Sequence, residues 1–116
     1  ANFPEDRNRL FSLIKKHHVN GVVIISGDTH WGEISRYQHN LDYPLFEMTS
    51  SGLTEKWKDV SPNKHRVGDY THNVNYGDLT IDWQQADPGL SLKLKGIDGN
   101  VIMQSDFSLS SISPYQ

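Results

Sequence analysis

"VVIISGDTHWGE", residues 22–33, is the stretch on which the reading of the fold turns. Residues 22–26 are a continuous apolar run closed by a serine, the pattern of a short buried strand. Without polar alternation, such a run belongs in the middle of a sheet, covered on both faces. Gly27 then lets the backbone turn sharply. Asp28 and His30 follow at the carboxyl end of the strand, where α/β sheets place their ligands. A carboxylate and an imidazole two residues apart suit a divalent or trivalent cation, oxygen serving hard ions and nitrogen borderline ones. The same residues also read as a plain turn, with Asp28 capping a following helix and His30 a satisfied polar side chain. From the bare pattern the turn is the more economical reading, since four residues specify little.

Upstream, "FPEDRNRLFSLIKKHHVNG" at positions 3–21 predicts a helix. Pro4 suits the first helical position, where its missing N–H is no loss. Glu5 and Asp6 complement the positive end of the helix dipole and Lys15 and Lys16 the negative end. Leu10, Phe11, Ile14 and His18 or Val19 recur at three- and four-residue spacing and form one apolar stripe. Asn20-Gly21 reads as the stop. His17 and His18 belong to this helix end and take no site role.

Downstream, "YPLFEMTSS" predicts another short strand, with Pro44 at its start. Residues 51–73, "SGLTEKWKDVSPNKHRVGDYTHN", are polar, contain two glycines and a proline, and read as a long loop with a single helical turn. The remainder is β. In "YGDLTIDW", Leu79, Ile81 and Trp83 alternate onto one face; in "LSLKLKGIDGNVIMQSDFSL", Leu92 and Leu94 alternate with Lys93 and Lys95. Asp98-Gly99 is a strong hairpin signal before a strand from Val101. The expected division of this single domain is a helix over 1–20, the site strand and its successor over 21–50, a loop over 51–73 and antiparallel strands over 74–112.

Composition narrows the function classes. The 116 residues are the size of one small domain. The balance of 11 basic against 14 acidic residues, a net charge of −3, argues against a dedicated nucleic-acid or polyanion binder, which normally shows a basic face. It has no cysteine, which removes disulfides, thiolate metal sites and cysteine nucleophiles. No apolar run approaches a membrane span and no signal peptide is visible, so location stays open.

Three ordered blocks carry a family resemblance. "VVIISGDTHWGEISR" is similar to the apolar strand, G-D-x-H turn and nearby glutamate of the alkaline phosphatase D (PhoD-like) family of metallophosphoesterases. "YPLFEMTSSGLT" resembles that family's next strand and its serine-glycine turn, and "NYGDLTIDW" followed by "LSLKLKGIDGNVI" resembles its closing strands. The likeness runs in order from about Arg9 onward. It implies an α/β (α+β) fold: the C-terminal portion of a calcineurin-like β-sandwich flanked by helices, with an N-terminal helix, a central strand and closing antiparallel strands. It also implies a phosphate-ester substrate and metal ions, iron and calcium among them. Asp28 and His30 carry over as metal ligands and catalytic residues, Asp28 at the position of the first histidine in the G-H-x-H of many relatives. In such enzymes a metal-bound water, its pKa lowered, attacks phosphorus in line with the leaving oxygen. The family is often exported or periplasmic.

Around this pair stand further candidates. Glu33 offers an acceptor for the His30 imidazole or a solvent-facing carboxylate. Asn73 and Asn75 offer amide oxygens to a hard cation or plain turn chemistry. Trp31 walls the site or simply packs. Lys64, His65 and Arg66 offer charge to a phosphate or lie in a solvated loop. His39 and His72 take no assignment. The family's earlier ligands, an aspartate-rich motif and a G-N motif, do not occur in the 27 residues before Asp28. The expected protein is therefore the C-terminal part of a phosphatase, inactive by itself and prone to self-association or to pairing with the rest of the phosphatase chain. The alternatives are a truncated, non-catalytic interaction module and a structural α/β domain.

Overall fold

A computed structural model describes residues 4–27, 31–38, 40–50, 65–71 and 74–116. They form a mixed α+β arrangement of one N-terminal helix and seven strands in two sheets. Helix α1 spans Pro4–Lys16; strands β1 (Val23–Ser26), β2 (Gly32–Tyr37), β3 (Leu45–Ser50) and β4 (Arg66–Thr71) make the first sheet in the order β1-β3-β2-β4. Strands β5 (Asn75–Asp82), β6 (Gly89–Gly96) and β7 (Val101–Ser108) form an antiparallel meander. No helix among the described residues is long and apolar enough to cross a membrane.

The helix stops earlier than Asn20-Gly21 suggests. Val19 N–H donates to the Ile14 carbonyl at 3.0 Å and His18 N–H to that of Lys15 at 3.3 Å, with His18 at φ 51°. This is a Schellman motif with histidine in the left-handed position that glycine usually takes. Two contacts hold the junction. The His18 ring stacks on Tyr115 at 4.7 Å, and the Tyr43 hydroxyl donates to the Val19 carbonyl at 2.7 Å. Of the apolar stripe, Ile14 is buried, Phe11 half-buried, and Leu10 and Val19 are exposed.

Strand β1 pairs in parallel with β3. Among the described residues it has no second neighbour, so it is an edge strand and not the central strand its apolar run predicts. Ile25 is accordingly 65% exposed. The central places go to β3 and to β2, whose polar sequence hides it. Part of the expected 51–73 loop is also a strand: β4 pairs antiparallel with β2, and the register shifts between Glu33 and Ser35. That irregularity and Gly68 at φ 73° break the alternation by which a strand is read. Residues 51–64 lie outside the described ones.

Register assigns the faces of the first sheet. Ile34 opposes Met48 and Arg36 opposes Phe46, so these four share one face; Glu33–Thr49, Ser35–Glu47 and Tyr37–Leu45 share the other. The first face meets the meander, where the Phe46 and Phe107 rings stack in parallel at 4.1 Å. Leu90, Leu92 and Leu94 on the inner face of β6 join Ile34, Phe46 and Met48 in one core, with Leu92 and Leu94 fully buried. Helix α1 lies on the second face, its Phe11 ring 5.4 Å from that of Tyr37. The Asp98-Gly99 hairpin forms as expected: Gly99 takes φ 85° and Asp98 Oδ1 accepts from Asn100 N–H at 3.0 Å. Trp83 departs from expectation; β5 ends at Asp82, and Trp83 stands in the turn, 67% exposed.

The C-terminal segment locks the helix junction. Gly21 N–H donates to the Ile112 carbonyl at 2.8 Å, and Asn20 and Tyr115 exchange two hydrogen bonds of 2.7 and 3.0 Å. The Tyr115 hydroxyl donates to Asp42 at 2.7 Å, and this bond, which needs the phenol protonated, pushes its pKa from 10 up to about 12. A phenol whose pKa rises on folding stabilises the fold below the unfolded value and loses that contribution as pH rises through the folded one. Between pH 10 and 12 the stability of the protein therefore falls, and the fall is shallower in Tyr115→Phe; urea melts across this range, with phenolate absorbance alongside, read both effects. Leu92→Ala, by contrast, empties a fully buried site and costs about 2–5 kcal/mol. Ile97→Ala, at an 83% exposed position, changes stability by less than about 0.5 kcal/mol in the same melts.

Candidate functional site

Buried polar side chains cost free energy unless they are paired, so their distribution locates a site. Among the described residues five are buried: Glu33, Ser35, Thr49, Thr71 and Asn75. Four of them, all but Ser35, lie at one end of the first sheet. There β1 ends at Ser26, β3 at Ser50 and β4 at Thr71, while β2 begins at Gly32 and β5 at Asn75. The predicted ligands Asp28 and His30, in the segment that connects β1 and β2, lie outside the described residues, as do Asn73, Lys64, His39 and His72.

The polar end has two sides. On the helix side, the Ser26 and Thr49 hydroxyls are hydrogen-bonded at 2.8 Å across the parallel β1–β3 pair. Glu33 opposes Thr49, and Arg66 Nε donates to its Oε2 at 2.6 Å. The pair is largely buried, with side-chain exposures of 16% for Arg66 and 9% for Glu33. Removing either partner strands a charge in a poorly solvated place, typically at about 3–5 kcal/mol. On the meander side, Ser50 Oγ donates to Asn75 Oδ1 at 2.7 Å. Gly32 opposes both Ser50 and Thr71 in register. A Cβ on Gly32 would stand 2.8 Å from Asn75 Oδ1, so the amide occupies the space that glycine leaves.

These contacts decide between the alternative readings of the accessory residues. Glu33 is not a solvent-facing carboxylate but the partner of Arg66. Arg66 is likewise no solvated loop residue; it opens β4. Asn75 is fully buried and opens β5, not a turn. Glu33 has its partner Arg66 on β4, and Asn75, on the second sheet, has Ser50 on β3. Trp31 is half-buried immediately before β2. His65 lies toward the other end of β2, its ring 4.6 Å from that of Tyr37.

The residues that sequence reading passed over are Ser26, Thr49, Ser50 and Thr71. Their only signal is a hydroxyl at the end of a strand, too common a feature to mark a site. In comparisons with protein-family models, curated proteins and solved structures, none matches the chain.

The close approach at Gly32 has a measurable consequence. Asn75 is buried and tied to Ser50, so it has nowhere to move, and Gly32→Ala is expected to cost about 1–3 kcal/mol. Gly77→Ala meets chiefly the flexible end of the Met48 side chain, its methyl at 2.9 Å and its sulfur at 3.4 Å, an end that can shift more readily than the tied Asn75 amide. In urea denaturation Gly77→Ala should stay nearer to wild type than Gly32→Ala.

Proposed function

We propose that this chain is the C-terminal part of a metal-dependent phosphatase or phosphodiesterase, similar to the alkaline phosphatase D family, and that the 28–30 turn supplies two of its metal ligands, Asp28 and His30. One observation carries the reading: four of the five buried polar side chains among the described residues gather at the sheet end where that turn begins and ends. A structural turn needs no such surroundings, whereas a site for ions and phosphate needs oriented donors and acceptors around it. The helix, the strand with its glycine turn, and the closing meander occur in the order of the family resemblance, and a two-sheet arrangement is compatible with a calcineurin-like sandwich.

The described residues do not make a metal site by themselves. No group of three or more His, Cys, Asp or Glu side chains among them is placed to hold an ion, and Glu33 is neutralised by Arg66. Two ligands are too few for a catalytic ion, which takes several protein ligands and an open position. The chain is accordingly proposed as a contributor to a larger site, with iron and calcium as candidate ions and a phosphate ester as substrate. What its own residues supply is position. Hydrogen bonding of Ser26 to Thr49 holds the end of β1, and pairing of Glu33 with Arg66 holds the start of β2. The exposed edge of β1 is the proposed place for self-association or for the remainder of such an enzyme.

A Mn²⁺ titration followed by NMR tests the ligand assignment, since the paramagnetic ion broadens signals near its site. Broadening should centre on residues 26–33 and disappear in both Asp28→Ala and His30→Ala. Broadening elsewhere, or unchanged in either variant, would contradict the assignment and favour the non-catalytic interaction module. With iron and calcium added, the isolated chain should hydrolyse p-nitrophenyl phosphate and its bis ester no faster than background. Robust turnover abolished by a chelator would mean that the chain completes the site on its own.

A further inference from the structure

A concavity lies away from the polar end. One face of α1 lines it with Arg7, Phe11, Lys15 and Lys16, and Tyr37 and His65 face them across a cleft of about 760 Å³. Tyr37 closes β2 at the end opposite Gly32, about 16 Å away at the rise of a strand. The volume falls within the usual range for small-molecule sites, roughly 300–1,000 Å³, and is far more than a lone inorganic anion fills.

The lining has a consistent chemistry. Arg7, Phe11 and Lys15 follow at four-residue intervals, so they stack along one helix face. Three permanent cations thus reach one cavity in a protein whose net charge is −3, and no carboxylate lines it among the described residues. Lysines in a last helical turn complement the dipole wherever they point. Dipole stabilisation does not require them to share a cavity with Arg7. The floor is aromatic: Tyr37 has Phe11 at 5.4 Å, His65 at 4.6 Å and the Arg7 guanidinium 5.2 Å from its ring centre. Tyr37 itself is buried, its hydroxyl donating to the Glu47 carboxylate at 2.9 Å, so the ring surfaces left at the cleft are those of the half-buried Phe11 and His65.

We infer that this cleft binds an organic phosphate carrying a flat ring, the phosphate held by Lys15, Lys16 and Arg7 and the ring seated against Phe11 and His65, which the buried Tyr37 supports. The inference rests on the cleft alone and is independent of the phosphatase reading, whose ligands stand at the other end of the sheet.

Adenosine monophosphate, adenosine and inorganic phosphate serve as probes, each titrated into the 116-residue chain and followed by NMR. Adenosine monophosphate should shift the signals of Arg7, Phe11, Tyr37 and His65 saturably, while adenosine and inorganic phosphate each bind at least about tenfold more weakly. The double variant Lys15→Gln/Lys16→Gln alters two exposed side chains and should keep the fold. It should weaken adenosine monophosphate binding about tenfold or more and leave the Mn²⁺ response of the 28–30 turn unchanged. Equal affinity for adenosine, equal affinity for inorganic phosphate, shifts centred elsewhere, or wild-type binding by the double variant would each overturn the inference.

Discussion

Strand β3 must satisfy two neighbours of opposite direction, and the rest of the structure follows from how it does so. Its backbone pairs in parallel with β1 and antiparallel with β2, over registers that leave no residue from Leu45 to Ser50 unmatched on the β2 side. Its side chains alternate between two different environments. Phe46 and Met48 face the meander, where stacking of Phe46 on Phe107 joins the two sheets, while Leu45 and Thr49 face the helix side. A one-residue slip would exchange these faces, driving Glu47 into the aromatic contact and Phe46 out of it. The apolar mismatch makes that register strongly specified, and with it the position of every residue at the strand ends.

The polar end depends on that register. Ser26 reaches Thr49, and Glu33 lies opposite Thr49, only because both strands are anchored to β3. Each group there has its hydrogen-bonding counterpart on a different element: Ser26 on β3, Glu33 on β4, and Asn75, from the second sheet, on Ser50. Buried polar groups so arranged contribute little net stability, but they resist rearrangement because breaking one leaves its partner unsatisfied. The ion pairs of the meander differ. Lys95 and Asp78 meet at 2.7 Å on the outer face, and their mutual hydrogen bond lowers the Asp78 pKa and raises that of Lys95. That contact is open to solvent and has little influence on the fold.

The polar end and the cleft are different kinds of surface. At the polar end, charge is cancelled by the Glu33–Arg66 pair, and the other buried polar groups are hydroxyls and an amide. In the cleft beneath α1, the lining side chains include three cations, with the Glu47 carboxylate behind them on the Tyr37 hydroxyl. The first presents neutral donors and acceptors; the second presents cations that attract an anion.

By itself the sequence determined the features that depend on neighbours within a few residues. The helix is legible from its apolar stripe and flanking charges, the strand before Gly27 from its apolar run, and the hairpin at Asp98-Gly99 from turn chemistry, because each is decided locally. Asp28 and His30 stand out for the same reason, as unusual residues after a strand and a glycine. Features set by distant partners were not legible. That β1 is an edge strand depends on what pairs beside it, not on its composition. That Arg66–Thr71 is a strand depends on the exposed side of β2, and the bulge needed to pair there erased the alternation. Only the tertiary structure decided the fates of Glu33 and Asn75. Their roles follow from which face of the sheet each occupies and which partner, 33 and 25 residues away, reaches it there. Separations of that length are closed by packing of the whole core, and no local pattern in the chain encodes them.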